Sequence, residues 1–202
     1  ERIVVPTSIA DDFAEIVATL DEPFADPSSF PTWYLARATE KHVKVVLGGD
    51  GGDELFAGYK RVAKHLRNRW RGALRLPVPL LPDVRPKGLR KALGELALDW
   101  EAAYTLRFSG LTPNQRIFLQ PARTAWSVHY WRAPDFEASD PHDRLLRWDF
   151  ANYLPEYVLR KADLTTMAHG LELRAPLLDH RFVQAVLALP AAERFTRPPK
   201  RF

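Results

Sequence analysis

Residues 43–47, Val-Lys-Val-Val-Leu, run directly into Gly48-Gly49-Asp50-Gly51-Gly52-Asp53-Glu54, which packs four glycines and three carboxylates into seven residues. No other stretch restricts the fold as much. Five residues rich in β-branched side chains suit a pleated strand and are too few for a stable helix. The glycines stop the strand, and the acids that follow suit the first turn of a new helix. Upstream, Phe30, Trp33, Tyr34 and Ala38 recur at helical spacing. Helix, strand, glycine turn and helix in that order are the rhythm of an α/β sheet. The pattern therefore predicts a buried strand over 43–47 whose carboxyl end carries the glycine loop, the place where open α/β sheets hold ligands.

Elsewhere the chain reads as helical. Residues 2–6 suggest a short strand closed by Pro6, and Ile9, Phe13, Ile16, Val17 and Leu20 trace a helix that Ser8 is placed to cap. Prolines at 77, 79, 82 and 86 mark a break, and a helix is expected near 89–106. Leu146, Phe150, Tyr153 and Leu154 give a stripe that Pro155 is expected to stop, and Phe182, Val183, Val186 and Leu187 give the final one. This divides the chain into an α/β part over 1–75 and a helical part over 76–202.

Composition excludes several kinds of chemistry. The 202 residues contain no cysteine, so disulfides, thiol nucleophiles and zinc–thiolate sites are all out. No apolar run is long enough to span a membrane, and the first twenty residues lack the layout of a signal peptide. A cytoplasmic protein is the expectation. The chain starts at Glu1 without a methionine and ends in Arg-Pro-Pro-Lys-Arg-Phe, which reads as a piece of something longer. Seven of its cations fall between residues 60 and 75, where there is no Asp or Glu, on what reads as the outer face of an amphipathic helix. That face is either solvated or binds an anionic partner. Nucleic acid is the weaker option, because no zinc finger or RNA-binding aromatic signature accompanies it. The six histidines (42, 65, 129, 142, 169 and 180) show no metal-ligand spacing.

The glycine loop is not a P-loop, which needs a lysine and a hydroxyl where this one carries Asp and Glu. It could still hold a phosphate through Mg²⁺, which takes one or two carboxylates and fills its remaining positions with water and phosphate oxygens. A helix beginning near Asp50 would set Asp53 and Glu54 on the same face, three and four residues on. A second reading explains the acids without any ligand: Asp50 as an N-cap, Asp53 at the third helical position and Glu54 favouring the helix dipole. The residues alone leave both open.

Three segments carry a family resemblance. Val45–Tyr59, "VVLGGDGGDELFAGY", resembles a signature of the asparagine synthetase family close to S-G-D/E-G-x-D-E-x-F-G-G-Y. Residues 159–183, "LRKADLTTMAHGLELRAPLLDHRFV", resemble the family's later signature near K-x-D-x-x-S-M-x-x-x-L-E-x-R-x-P-F-L-D, and 21–28, "DEPFADPS", matches a less specific third segment. The three stand in family order and span residues 1 to about 190. The resemblance implies a synthetase domain of the ATP-pyrophosphatase, adenine-nucleotide alpha-hydrolase-like type: an α/β parent fold with a parallel sheet, of which this chain is a mostly α-helical part with one or two strands. It implies that ATP and Mg²⁺ activate the side-chain carboxylate of aspartate as an acyl-adenylate, which ammonia released from glutamine in a separate glutaminase domain then attacks.

By the same resemblance, Gly48 and Gly49 stand at nucleotide-contacting positions, with Gly51 and Gly52 continuing the nucleotide loop. Asp50 matches the acidic position tied to the acyl-adenylate, where it would serve as a general base. Asp53 matches a magnesium-binding aspartate and Glu54 an acid beside that metal. Lys161 reads as a cation beside pyrophosphate or as a partner of Asp163, whereas Glu172 and Arg174 read as an ion pair and Asp179 as structural. The family's first nucleotide loop, Ser-Gly-Gly-x-Asp-Ser, and its glutaminase domain have no counterpart here. Gly48 replaces a serine and Ala57 a glycine, the latter expected to be a change of size only. The alternatives are a related amidotransferase or β-lactam-synthetase-like enzyme acting on another carboxylate, and a non-catalytic basic module.

Overall fold

The computed structural model describes residues 8–74, 76, 95, 96, 98–108, 115, 118–120, 131 and 138–194. The strand expected over 2–6 and the proline break at 77–86 lie outside them. Two compact units emerge, one containing the described residues up to Gly58 and from Asp149 onward, the other those from Tyr59 to Trp148.

In the first unit, α1 (Phe13–Thr19) and α2 (Ser29–Thr39) pack around Ile16, Trp33 and Tyr34, with Ile9 and Phe30 against them. Ser8 does not cap α1. Its hydroxyl accepts only from the Ala10 amide, and the helix begins later, after Asp12. The Asp12 carboxylate is occupied in tying the two helices together, accepting from the Tyr34 hydroxyl at 2.7 Å and from Arg37 at 3.1 Å. Arg37 in turn lies over the Trp33 ring, 4.6 Å from its centroid.

Strand β1 (Val45–Leu47) follows and pairs in parallel with β2 (Glu172–Arg174), with Val46 opposite Leu173. The sheet among the described residues has these two strands. β1 is not the buried strand the sequence predicts: Val45 is 40% and Leu47 74% exposed, and only Val46 turns partly inward. β2 was not legible as a strand, because its three residues alternate Glu, Leu and Arg within a run that otherwise reads as helix and turn.

Pro155 does not end a helix either. The chain passes through it in a wide-turned π-helical segment, Asp149–Leu159, and continues into α7 (Arg160–Met167). A proline removes one backbone donor and crowds the carbonyl four residues back, and the wider turn relieves that crowding. α7 packs on α2, and its buried residues are small or hydroxyl-bearing, Ala162, Thr165 and Thr166. The two threonine hydroxyls donate to the carbonyls of Lys161 and Ala162, so the buried face carries no unsatisfied hydroxyl. Beyond β2 come a 3₁₀ turn (Pro176–Leu178), α8 (His180–Ala188) and a short α9 (Ala191–Arg194).

In the second unit, α4 (Lys60–Arg67) leads into a 3₁₀ turn (Arg69–Ala73), and α5 (Trp100–Thr105) and α6 (Pro141–Trp148) follow. Asp99 caps α5, accepting from the amides of Glu101 and Ala102. Lys60, Lys64, Arg67 and Arg69 face outward, as the sequence predicts. Trp70 is 58% exposed, while His65 is buried. The His65 Nε2 meets the Trp100 carbonyl, which only accepts, and its Nδ1 meets the Arg107 guanidinium, which only donates. Those partners demand a neutral imidazole protonated at Nε2. Burial is the main force pushing its pKa down to about 4, with the Arg107 charge adding to it.

The folded state therefore resists protonation that the unfolded chain accepts near pH 6.5. Stability from this group is fully present above pH 6.5 and falls as the pH drops towards 4, by up to about 3 kcal/mol. NMR titration should show the His65 ring still neutral at pH 5. A ring that titrates near 6.5 refutes the burial argument.

Candidate active site

Parallel pairing delivers the glycine loop after β1 and the 3₁₀ turn after β2 to the same end of the sheet. The Gly48 amide completes the ladder by donating to the Arg174 carbonyl at 2.8 Å. Beyond it each glycine has a different neighbourhood. A side chain on Gly48 would meet the Asp50 carboxylate at 2.9 Å and Leu173 at 3.4 Å. Gly51 has φ +89° and lies against Leu178, whose Cδ2 would stand 2.2 Å from a Cβ; Gly52 lies against Leu177 at 3.2 Å. Packing on two leucines of the later signature thus accounts for Gly51 and Gly52. Gly49 alone faces open space, with nothing within 4 Å of where its Cβ would be. It leaves the backbone accessible to a ligand.

The three acids separate. Helix α3 (Gly52–Phe56) starts from Gly51 in the left-handed conformation, and no side chain caps it. The N-cap explanation of Asp50 is therefore not what the structure adopts. Asp50 is half-buried, and burial raises its pKa while the charge of Lys161 pulls it back. Asp53 turns its carboxylate onto Gly58, where a Cβ would overlap Oδ1 at 1.6 Å. Glu54 is buried, at 3% exposure. Among the described residues no three acidic or histidine side chains are arranged to hold a metal ion. The crowding of three carboxylates around one cation that the spacing suggests is absent. Mg²⁺ needs only one or two protein carboxylates when phosphate and water supply the rest. Partly buried Asp53, which still reaches the surface, suits that donor set, and buried Glu54 does not.

Lys161 neither pairs with Asp163 nor forms a direct ion pair with Asp50. Positions two apart on a helix do not face each other, and Asp163 instead lines a cavity of about 360 Å³ with Leu159, Arg160, Leu173 and Ala175. The Lys161 ammonium lies 3.4 Å from the Asp26 carboxylate and donates to the Ser28 hydroxyl at 2.9 Å. Asp26 in turn accepts from the Ser28 amide at 2.9 Å and from the Ser28 hydroxyl at 2.7 Å. Asp26 and Ser28 of the first resembling segment thus hold Lys161 of the third, whose charge reaches Asp50 of the second. Sequence reasoning did not single out Asp26 or Ser28. The available signals were the family resemblance of 21–28, which names no residue, and the Asp-Pro-Ser turn pattern at 26–28, an Asx turn opening a helix.

Glu172, Arg174 and Asp179 each make a local contact. Arg174 Nε donates to Glu172 at 2.7 Å along the exposed face of β2. Asp179 caps α8 by accepting from the amides of Arg181 and Phe182.

Comparison with known proteins gives a consistent result. The family model described as asparagine synthase matches residues 1–201. A protein of Mycobacterium tuberculosis (strain ATCC 25618 / H37Rv), named "putative asparagine synthetase, glutamine-hydrolyzing", is 34% identical over 227 residues, covering 100% of this chain and 33% of that protein. Glutamine-hydrolyzing asparagine synthetase 1 of Bacillus subtilis (strain 168) is 30% identical over 200 residues, covering 88% of this chain and 30% of its own length. The human glutamine-hydrolyzing asparagine synthetase is 44% identical over 71 residues, 35% of this chain and 12% of that protein. The chain spans about a third of the length of the first two. No solved structure matches it.

Two substitutions test the loop backbone in opposite directions. Ala57, which stands where the resembled signature has glycine, sits at φ +55°. That position is a matter of backbone conformation, and size does not account for it. Ala57→Gly should raise stability in urea denaturation by roughly 0.5–1 kcal/mol, the left-handed strain relieved less the added chain entropy. Gly51→Ala should lower it by more than about 1 kcal/mol, because strain and the Leu178 overlap add.

Proposed function

The chain belongs to the asparagine synthase family, and on that premise we propose that it supplies the ATP-using part of an amide-forming ligase. In this reading aspartate and ATP are its substrates, the aspartate side-chain carboxylate is adenylated with loss of pyrophosphate, and ammonia drawn from glutamine then displaces the adenylate. The convergence of three sequence-distant segments around Asp50 and Lys161 carries the reading. A carboxylate is a poor acyl donor, so the site must bring a polyphosphate, a cation and a proton acceptor together.

The residues divide that work. Open Gly49, next to Gly48, lets the backbone approach the nucleotide. An ammonium has three donors; Lys161 directs two at Asp26 and Ser28 and retains one for a phosphate or acyl oxygen. Asp50, half-buried and with a raised pKa, accepts the proton from the attacking nitrogen. Asp53 would hold Mg²⁺ jointly with phosphate oxygens, and we assign no ligand role to Glu54. When bound, the ion supplies neutralisation of the charge on the leaving pyrophosphate. Among the described residues no helix is long and apolar enough to cross a membrane. The absence of cysteine supports a place in the reducing cytoplasm.

Pyrophosphate release by the full-length protein, measured across a panel of carboxylic acids, tests the substrate. Release that depends on aspartate and matches asparagine formed is the expected result. Release driven by a different acid moves the enzyme to a related amidotransferase or β-lactam-synthetase-like activity. Absence of release with every acid ends the ligase reading.

Asp50→Asn tests the base. Because its folded pKa lies above the unfolded one, ionised Asp50 costs stability as pH rises through that folded value. The variant should therefore be more stable than the parent at pH 7 and slower in amide formation by about 100-fold or more. Full activity in Asp50→Asn rules out the base assignment.

A further inference from the structure

The ammonium of Lys161 is held from behind by a segment far away in sequence, and this assigns roles to two residues that touch no reacting atom. We propose that Asp26 and Ser28 form a clamp that positions Lys161, fixing the ammonium where it can face both Asp50 and a bound anionic substrate. The inference rests on the reading above for what Lys161 does, but the clamp itself stands on geometry.

A lysine side chain has four rotatable carbons and loses considerable freedom when fixed. Lys161 sits on α7 with 18% of its side chain exposed. Its stem therefore emerges from the helix packed on α2, and only its tip has a choice of partner. Two partners are set on one turn. Asp26 precedes Pro27, which disfavours helical backbone at Asp26 and keeps the turn out of the helix. The Asp26 carboxylate accepts from both the amide and the hydroxyl of Ser28, and its backbone carbonyl accepts from the amide and hydroxyl of Ser29. Four hydrogen bonds thus lock the turn before Lys161 arrives.

The orientation of the serine hydroxyl follows. It donates to Asp26 at 2.7 Å, so its lone pair is presented to Lys161, which donates to it at 2.9 Å. The lysine receives one charge partner and one neutral acceptor, both rigid. A single carboxylate would leave the ammonium free to pivot and to collapse onto Asp50, the other acid near it. Clamped by Asp26, Lys161 perturbs Asp50 from a distance without forming an ion pair with it, so Asp50 keeps its lone pairs for a proton.

Lys161 labelling gives a test independent of turnover. In the full-length protein, competitive acetylation read by mass spectrometry should show Lys161 reacting more slowly than exposed Lys60 and Lys64. Ser28→Ala and Asp26→Asn should each speed its labelling by about 3-fold or more. Ser28→Thr, which keeps the hydroxyl, should restore the slow rate. Amide formation gives the second arm. Ser28→Ala and Asp26→Asn should lower kcat by about 10-fold with KM for ATP little changed, and neither should lower it further in a Lys161→Met background. Circular dichroism identifies a variant that has unfolded, in which case Ser28→Thr and Ser28→Ala carry the comparison. Unchanged Lys161 labelling in both clamp variants overturns the proposal. So does an equal loss of activity whether or not Lys161 is present. A parent protein without ligase activity defeats the functional reading alone, and the labelling still decides the clamp.

Discussion

The site depends on one piece of backbone chemistry, the parallel pairing of β1 with β2. Gly48 donates to Arg174, and Glu172 donates to Lys44. Parallel strands send their following loops to the same end. That geometry sets the Gly48–Asp50 turn beside Pro176–Leu178 and lets Leu177 and Leu178 fill the space that Gly51 and Gly52 leave empty. The later signature is thus a mould for the earlier one. Its arginine and glutamate stay outside as a pair on the exposed face of β2, while its leucines shape the acidic turn.

Helix α3 shows the same dependence. Five residues are far below the length at which a helix is stable alone, and this one lies between two left-handed residues, Gly51 and Ala57. It lacks a side-chain cap, so tertiary contact must hold it. Phe182 of α8 lies tilted against Phe56 with the ring centroids 6.4 Å apart, and the two leucines press on the opening glycines. A sequence with acids after a glycine turn invites a reading in terms of local capping. Here long-range apolar packing holds the helix in place of a cap, and Asp50 has no capping task.

What was legible in the sequence is what is local. β-Branched Val45 and Val46 followed by glycine announce a strand and its end, and the α2 stripe of Phe30, Trp33 and Tyr34 announces a helix. Asp179, read only as structural, caps α8. Long-range partners were not legible, because nothing in a lysine's neighbours states which acid it will meet. Lys161 has Asp163 near it in sequence and Asp26 near it in space. The exposure of Leu47 was misread for a related reason: a β-branched run shows that a strand forms, not which of its faces finds cover. Proline misled differently at 155, since the penalty for a proline inside a helix applies to a regular α-turn and is relaxed by a wider one.

These contacts change where the chemistry of the site resides. Three carboxylates close in sequence suggest that a metal ion is the organising charge, yet their side chains diverge to Lys161's vicinity, to Gly58 and into the core. The charge that organises the described residues is an ammonium. Asp26 lies 3.4 Å from it, and the field of the ammonium also reaches Asp50; the cation pulls both acids down, and burial is what carries Asp50 the other way. Asp26, hydrogen-bonded to Ser28 and close to the ammonium, is held below the usual carboxylate range, whereas Asp50, less well served and half-buried, is held above it. Two like groups driven apart by their surroundings can take different tasks, and in the reaction proposed above Asp26 would stay an anion while Asp50 takes the proton. The division follows from which acid lies on the locked turn, and that in turn follows from Pro27 and Ser28.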